Sequence, residues 1–191
     1  MIESPHQVYI PHTDLASFVF SSGTPSSRDS PQYCDSACPS QCFSLFQAEV
    51  WVKQFAKGLP GLRLAADDKI LLFSENCLLF PVFLWGVLAA GCVLTAVSRS
   101  ASIRNSDAKV LFVGQKRLPT ALEAAKQAGI DQRNVYLFCD SDETVDGLAL
   151  QAAPWNKIWK STEEGQSWSW KKIDTLKEAR ETTAIINYSS G

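Results

Sequence analysis

Short continuous apolar runs alternate along this chain with longer stretches whose apolar positions recur every three or four residues. The clearest periodic stretch carries Leu45, Ala48, Val52, Phe55 and Leu59 at helical spacing, with Lys53 and Lys57 on the other face. Ser44 followed by Gln47 is a capping box at its start, and Gly58 lies near its stop, so the pattern predicts a helix over 44–58. Two further helices are predicted, over 76–90 and 118–128. Pro81 imposes a kink or a delayed start on the first, while Pro119 opens the second and Gly129 follows it. The runs at 67–73, 92–97, 108–113, 134–139 and 183–188 read as strands apolar on both faces, as strands of a buried parallel sheet are. DLASFVF (14–20) predicts a short helix capped by Asp14, and SSGTPSSRDSP (21–31) a polar loop. Residues 140–180 are polar, with Trp155, Trp159, Trp168 and Trp170 among charges. They read as loop and short helix, the rings packing at the surface under long side chains rather than forming a stacking platform. Strands alternating with helices give an α/β fold with a largely parallel sheet flanked by helices.

Composition narrows the function classes. The 191 residues hold 18 Lys+Arg against 20 Asp+Glu, a formal charge of −2. A general nucleic-acid or anionic-membrane binder would carry a basic excess. At 46% hydrophobic residues the chain is not disordered over its length. The first twenty residues hold Glu3, Pro5, Pro11 and Asp14 and no basic start, so no secretory signal is expected. Six cysteines are too few for a disulfide scaffold and suit a reducing compartment. The 21 uncharged residues from Cys77 to Val97 are long enough to span a bilayer, which gives one alternative, a small single-pass membrane protein built on 77–97. Pro81, Gly86 and Gly91 interrupt that stretch and favour a helix followed by a strand.

Few residues invite chemistry. Cys34, Cys38 and Cys42 are spaced C-x3-C-x3-C, Pro39 breaks any shared helix face, and no fourth ligand is near, so no metal site is expected. These three and Cys77, Cys92 and Cys139 read as separate thiols that pack as small hydrophobes. His6 and His12 lie in the N-terminal arm without an oriented partner, and read as solvated. The most informative piece is the end of the chain. There the apolar run AIINY enters Ser189, Ser190 and Gly191, and a strand that runs into hydroxyls and glycine is how a phosphate loop begins.

ETTAIINYSSG resembles the run-up to the phosphate loop of adenylate-forming enzymes, the acyl-CoA synthetase and 4-coumarate–CoA ligase family, whose loop continues Thr-Thr-Gly-x-Pro-Lys. YIPHTDLASFVF is similar to the family's N-terminal arm. PQYCDSACPSQCFSLFQA resembles its Pro-x-Tyr-x-Asp hairpin and following helix, which implies Cys34 and Cys42 on strands and Cys38 in their turn. DDKILLFSENCLLFPVFLWGVLAAGCVLTAV resembles its strand–helix–strand with a Ser-x-Asn start and an Ala-x-Gly end. SDAKVLFV and LPTALEAAKQAGI follow in the family's order. The resemblance covers nearly the whole chain, looks most like fungal members, and implies an arm over 1–32 ahead of a truncated AMP-binding domain over 33–191 that ends inside the phosphate-loop motif.

The resemblance implies an ATP-dependent acid–CoA ligase, which joins a carboxylic acid to ATP as an acyl-adenylate with release of pyrophosphate and passes the acyl group to coenzyme A. ATP, Mg²⁺ and coenzyme A are expected for the full-length family. Of that machinery this chain carries ATP phosphate-binding Ser189, Ser190 and Gly191 only, with no catalytic residue. The adenine motif, acyl pocket, ribose-binding Asp and lid Lys have no counterpart here. The Asn-Pro-x-Tyr segment and helix that follow TAVSRSAS in the family are also missing. The expected identity is therefore the N-terminal portion of such a ligase, inactive by itself and cytoplasmic or peroxisomal rather than secreted. A degenerate non-enzymatic relative is the second alternative.

Overall fold

The computed structural model describes residues 11–139 and 152–188. It opens with α1 (Leu15–Phe20), where the Asp14 carboxylate accepts from Ser17 N–H as the spacing predicts. The stretch expected as polar loop instead contains α2 (Pro25–Asp29). Thr24 and Ser27 form a reciprocal capping box with Pro25 in the first turn, which suffices for one exposed turn of helix. Arg28 of α2 reaches Glu49, which Lys53 also meets at 2.7 Å.

Strands β1 (Pro31–Cys34) and β2 (Cys42–Ser44) form an antiparallel hairpin, and β2 runs directly into α3 (Leu45–Gly58). Ser44 and Gln47 make the expected capping box, at 3.1 and 2.8 Å. Cys34 and Cys42 lie on the strands and Cys38 between them, as the resemblance implied. The expectation of separate thiols fails for the outer pair. The register sets Cys34 opposite Cys42 with Cα atoms 4.1 Å apart, and the two are disulfide-bonded.

The main sheet holds β3 (Lys69–Phe73), β4 (Val93–Ala96), β5 (Val110–Gly114), β6 (Val135–Phe138), β7 (Ala153–Pro154) and β8 (Ile185–Asn187). All its pairs are parallel, in the order β7-β6-β5-β3-β4-β8. The five expected strands are all present, one to three residues shorter than the apolar runs. Between β3 and β4 lies α4 (Phe80–Ala89), with Pro81 in its first turn, so the delayed start is what happens rather than a kink. The stretch 77–97 is thus a ten-residue helix and a strand, which overturns the single-pass membrane alternative. No helix among the described residues is long and apolar enough to cross a membrane. After β4, where the resemblance implied that the family's segment and helix are missing, the chain makes only α5 (Ala101–Arg104) before β5. Then follow α6 (Leu118–Ala128), closed by Gly129 at φ 72°, and α7 (Thr162–Gln166) and α8 (Leu176–Glu181).

Alternation along the strands builds a core on each face. Ile70, Leu72, Val110 and Phe112 point to one, where α1, α3 and α4 pack; Leu71, Phe73, Leu111 and Val113 point to the other, under α5 and α6. Phe55 of α3 is fully buried at the centre of the first core, with ring centroids of Trp155, Phe83 and Phe112 at 5.1, 5.6 and 5.9 Å. Trp155 therefore corrects the surface expectation. It is 2% exposed, and its indole N–H donates to the Cys139 carbonyl at 3.0 Å. Trp170 keeps more of the expected character, with the Lys53 ammonium 5.5 Å from its ring centre.

Helices α3 and α4 touch where Phe55 lies over Gly86, and a Cβ added there would stand 2.4 Å from Phe55 Cδ1. Gly86→Ala is expected to cost about 1–3 kcal/mol through overpacking. Phe55→Ala, which empties the same site, is expected to cost about 3–5 kcal/mol. Urea unfolding followed by tryptophan fluorescence measures both. A Gly86→Ala variant as stable as the parent would show that the two helices can separate freely.

Candidate functional site

The parallel sheet brings the C-terminal ends of β3, β4, β5 and β8 to one edge. The chain leaves β3 for β4 on one side and later returns to place β5 on the other, so β3 is the topological switch, where open α/β sheets bind ligands. At this edge lies an open crevice of about 600 Å³. Ser74, Glu75 and Asn76 line it from the end of β3, Ser98 and Arg99 from the end of β4, and Arg117 from the turn after β5. Asn105 and Tyr188 close the far side, the Tyr188 hydroxyl donating to the Asn105 carbonyl at 3.2 Å.

Arg117 ties this edge together. Its Nε donates to Glu75 Oε1 at 2.9 Å, its Nη1 donates to the Ser98 carbonyl at 3.2 Å, and its guanidinium stands 4.8 Å from the Phe73 ring centre. One planar cation thus spans the ends of β3, β4 and β5, a use for which Arg suits better than Lys. The Glu75 carboxyl is held below its ordinary range first by a hydrogen bond from its own backbone N–H, then by Arg117 against some loss of hydration. Gly114 lets β5 approach the same place, since a Cβ there would meet Ser74 Oγ at 2.6 Å and Ser74 Cα at 3.2 Å. The described lining carries two arginines and one carboxylate, with hydroxyls and amides between them, a set that suits an anionic, hydrogen-bonding ligand.

The residues singled out in the sequence fall as follows. Ser189, Ser190 and Gly191 lie outside the described residues, as does His6. β8 is fixed beside β4 by parallel pairing and by the Thr95 hydroxyl, which donates to the Ile186 carbonyl at 2.9 Å. It brings the chain to Tyr188 at the crevice, one residue before Ser189. His12 is exposed just ahead of α1. No three His, Cys, Asp or Glu side chains among the described residues converge to hold a metal ion. Cys92 is buried, and burial first, then the Asp68 and Asp67 charges, push its thiol up to about 11, so it is no nucleophile at neutral pH. Arg117, Glu75 and Asn105 were missed in the sequence. Lys116-Arg117 directly after an apolar strand was the one available signal.

Glu75 gives a pH prediction. A carboxyl whose folded pKa is depressed adds stability above its ordinary value of 4.5 and loses it as pH falls through the lower folded value. Arg117→Gln is expected to move the Glu75 titration part of the way back up, read by NMR of the carboxyl carbon. It should also cost about 1 kcal/mol at neutral pH, the range of a half-exposed ion pair with a cation–ring contact. An unchanged Glu75 titration would rule out the bridge.

The comparisons with known proteins agree with this geometry. Acyl-CoA ligase azaF of Aspergillus niger is 25% identical over 95% of this chain, and Nicotinic acid-CoA ligase pyr1 of Aspergillus fumigatus is 35% identical over 95%. The chain spans about a third of the length of these curated relatives, 34% and 36%. The pyr1 alignment runs over 209 residues, so that relative carries residues inside the matched stretch that this 191-residue chain lacks. The red-emitting luciferase of Phrixothrix hirtus superposes with a TM-score of 0.75 at 20% identity, covering 99% of this chain and 45% of its own. The anthranilate CoA ligase AuaEII, solved with anthranoyl-AMP, gives 0.68 at 15%, covering 95% and 33%. These two likenesses speak to the fold alone. The family model described as AMP-binding enzyme matches residues 34–191, and on that match the chain belongs to the AMP-binding, adenylate-forming enzyme family.

Proposed function

We propose that these residues are the N-terminal portion of an ATP-dependent acid–CoA ligase. The overall reaction is acid + ATP + CoA to acyl-CoA + AMP + pyrophosphate, through an acyl-adenylate. The observation that carries the proposal is the delivery of β8 into the crevice. A strand locked parallel to β4 runs to Tyr188 at an edge lined by Arg117 and Arg99, and the next residues are Ser189, Ser190 and Gly191. In this proposal the two hydroxyls and the adjoining backbone N–H groups bind the ATP phosphates, Gly191 allows the close approach, and the arginines favour negative charge. Residues 1–32 act as an arm and 33–191 as the first part of the AMP-binding domain. The acid is aryl, fatty or polyketide-like. The names of pyr1 and of Phenylacetyl-CoA ligase epaB, 26% identical, lean toward the aryl class. In this proposal the enzyme works in the cytoplasm or peroxisome.

Magnesium does not fit the described crevice. The ion takes octahedral oxygen ligands, and Glu75, the one carboxylate in the described lining, is engaged by Arg117.

The isolated chain is expected to form no acyl-adenylate. Each tenfold in rate takes about 1.4 kcal/mol of transition-state stabilisation. The adenine pocket, acyl pocket and lid Lys that supply it in the family have no counterpart in these 191 residues. Pyrophosphate release from ATP with a panel of aryl and fatty acids is the test, and background rates are expected throughout. Acid-dependent release that disappears in Ser189→Ala/Ser190→Ala would show a working site within this chain. The short link from β4 to β5 through α5 alone, where the resemblance implied a missing segment and helix, favours one second proposal, a degenerate relative with a non-enzymatic role. Binding of ATP without turnover, even when the rest of a ligase is supplied in trans, would support it.

A further inference from the structure

Three cysteines share the β1–β2 hairpin, and the ligase proposal uses none of them. Cys34 and Cys42 are bonded to each other, eight residues apart. Cys38 lies midway between them as a free, exposed thiol, and Cys34 is exposed as well. An exposed disulfide is open to attack by a thiolate, and exposed disulfides are the exchangeable ones. A thiol tethered four residues from either sulfur meets them at a high effective concentration.

The hairpin does not need the sulfur bond to hold its shape. The Asp35 N–H donates to the Gln41 carbonyl at 2.9 Å, and the Gln41 N–H to the Cys38 carbonyl at 2.8 Å. Asp35 Oδ1 accepts from the N–H groups of Ala37 and Cys38 at 2.7 and 2.8 Å. Beneath, the Phe43 ring packs between Tyr33 and Trp51 at 5.0 and 5.1 Å. A break between Cys34 and Cys42 therefore leaves a folded hairpin whose sulfurs can pair again.

We propose that the β1–β2 hairpin is a thiol–disulfide exchange site, in which Cys38 and small thiols of the glutathione class trade places with Cys34 and Cys42. In the internal step the Cys38 thiolate forms a bond to Cys34 Sγ. The Cys34–Cys42 bond breaks, and its electron pair leaves on Cys42 Sγ, which takes a proton from water. Attack on Cys42 Sγ is the mirror case. With an external thiol the same displacement gives a mixed disulfide on one cysteine and a free thiol on the other. Neither step consumes an oxidant. A link to Cys38 draws that residue out of the turn held by Asp35. The effect reaches α3, because β2 ends in the N-cap Ser44.

The test uses the whole chain purified without reductant. It is incubated with millimolar reduced glutathione, quenched with iodoacetamide, digested with pepsin and mapped without reduction by mass spectrometry. The wild type is expected to show 34–38 and 38–42 links beside 34–42, and a glutathione adduct on the hairpin. Cys38→Ser and Cys38→Ala should both lose the rearranged links while keeping 34–42 and the adduct. Buried Cys92 is the internal control and should stay out of every link. A wild type without rearranged links overturns the proposal, whether it keeps only 34–42 or starts with three free thiols.

Discussion

The packing of Phe55 over Gly86 is the contact on which most of this structure rests. It lets α3 lie close to α4, and it places a fully buried ring where Phe83 of α4, Phe112 of β5 and Trp155 meet. Trp155 follows β7, so one aromatic cluster joins α3 and α4 to the β7 edge of the sheet. Edge-to-face arrangements recur in it, as ring quadrupoles favour, and they fix orientation as well as burying area.

With one face of the sheet fixed in this way, strand direction decides where chemistry can gather. In a parallel sheet every C-terminal end points the same way, so segments far apart in sequence finish at one edge. Ser74, Ser98, Arg117 and Tyr188 come from four different strands or their following turns and line one crevice. The Arg117 bridge stiffens that edge with three modest contacts, none strong alone. Gly114 matters because β5 must pass close to the backbone of Ser74 there.

The β1–β2 hairpin stands apart from this logic. It packs through Phe43 onto Trp51 of α3, with Tyr33 against Phe43, and carries the Cys34–Cys42 disulfide and the exposed Cys38. Its shape rests on turn hydrogen bonds. Those are local, from Asp35 to the N–H groups of Ala37 and Cys38, whereas the sulfur pairing depends on strand register, which spacing alone does not give.

The sequence by itself determined whatever local rules govern. The strands follow from two-faced apolar runs, α3 from the Ser44–Gln47 box and its 3.6-residue period, and the late start of α4 from a proline that cannot donate. The AMP-binding assignment was legible too, since its motifs are short and ordered along the chain. Tertiary structure decided the rest. Trp155 sits among polar neighbours, and only the proximity of β6 and α3 buries it. α2 emerged from a segment whose composition reads as loop, because a one-turn helix needs only a cap and a proline. Arg117 and Glu75 are 42 residues apart, and no periodicity links them. They meet because β3 and β5 are sheet neighbours, and neighbour choice in a parallel sheet is set by how helices cross its faces, information that no local stretch of sequence carries.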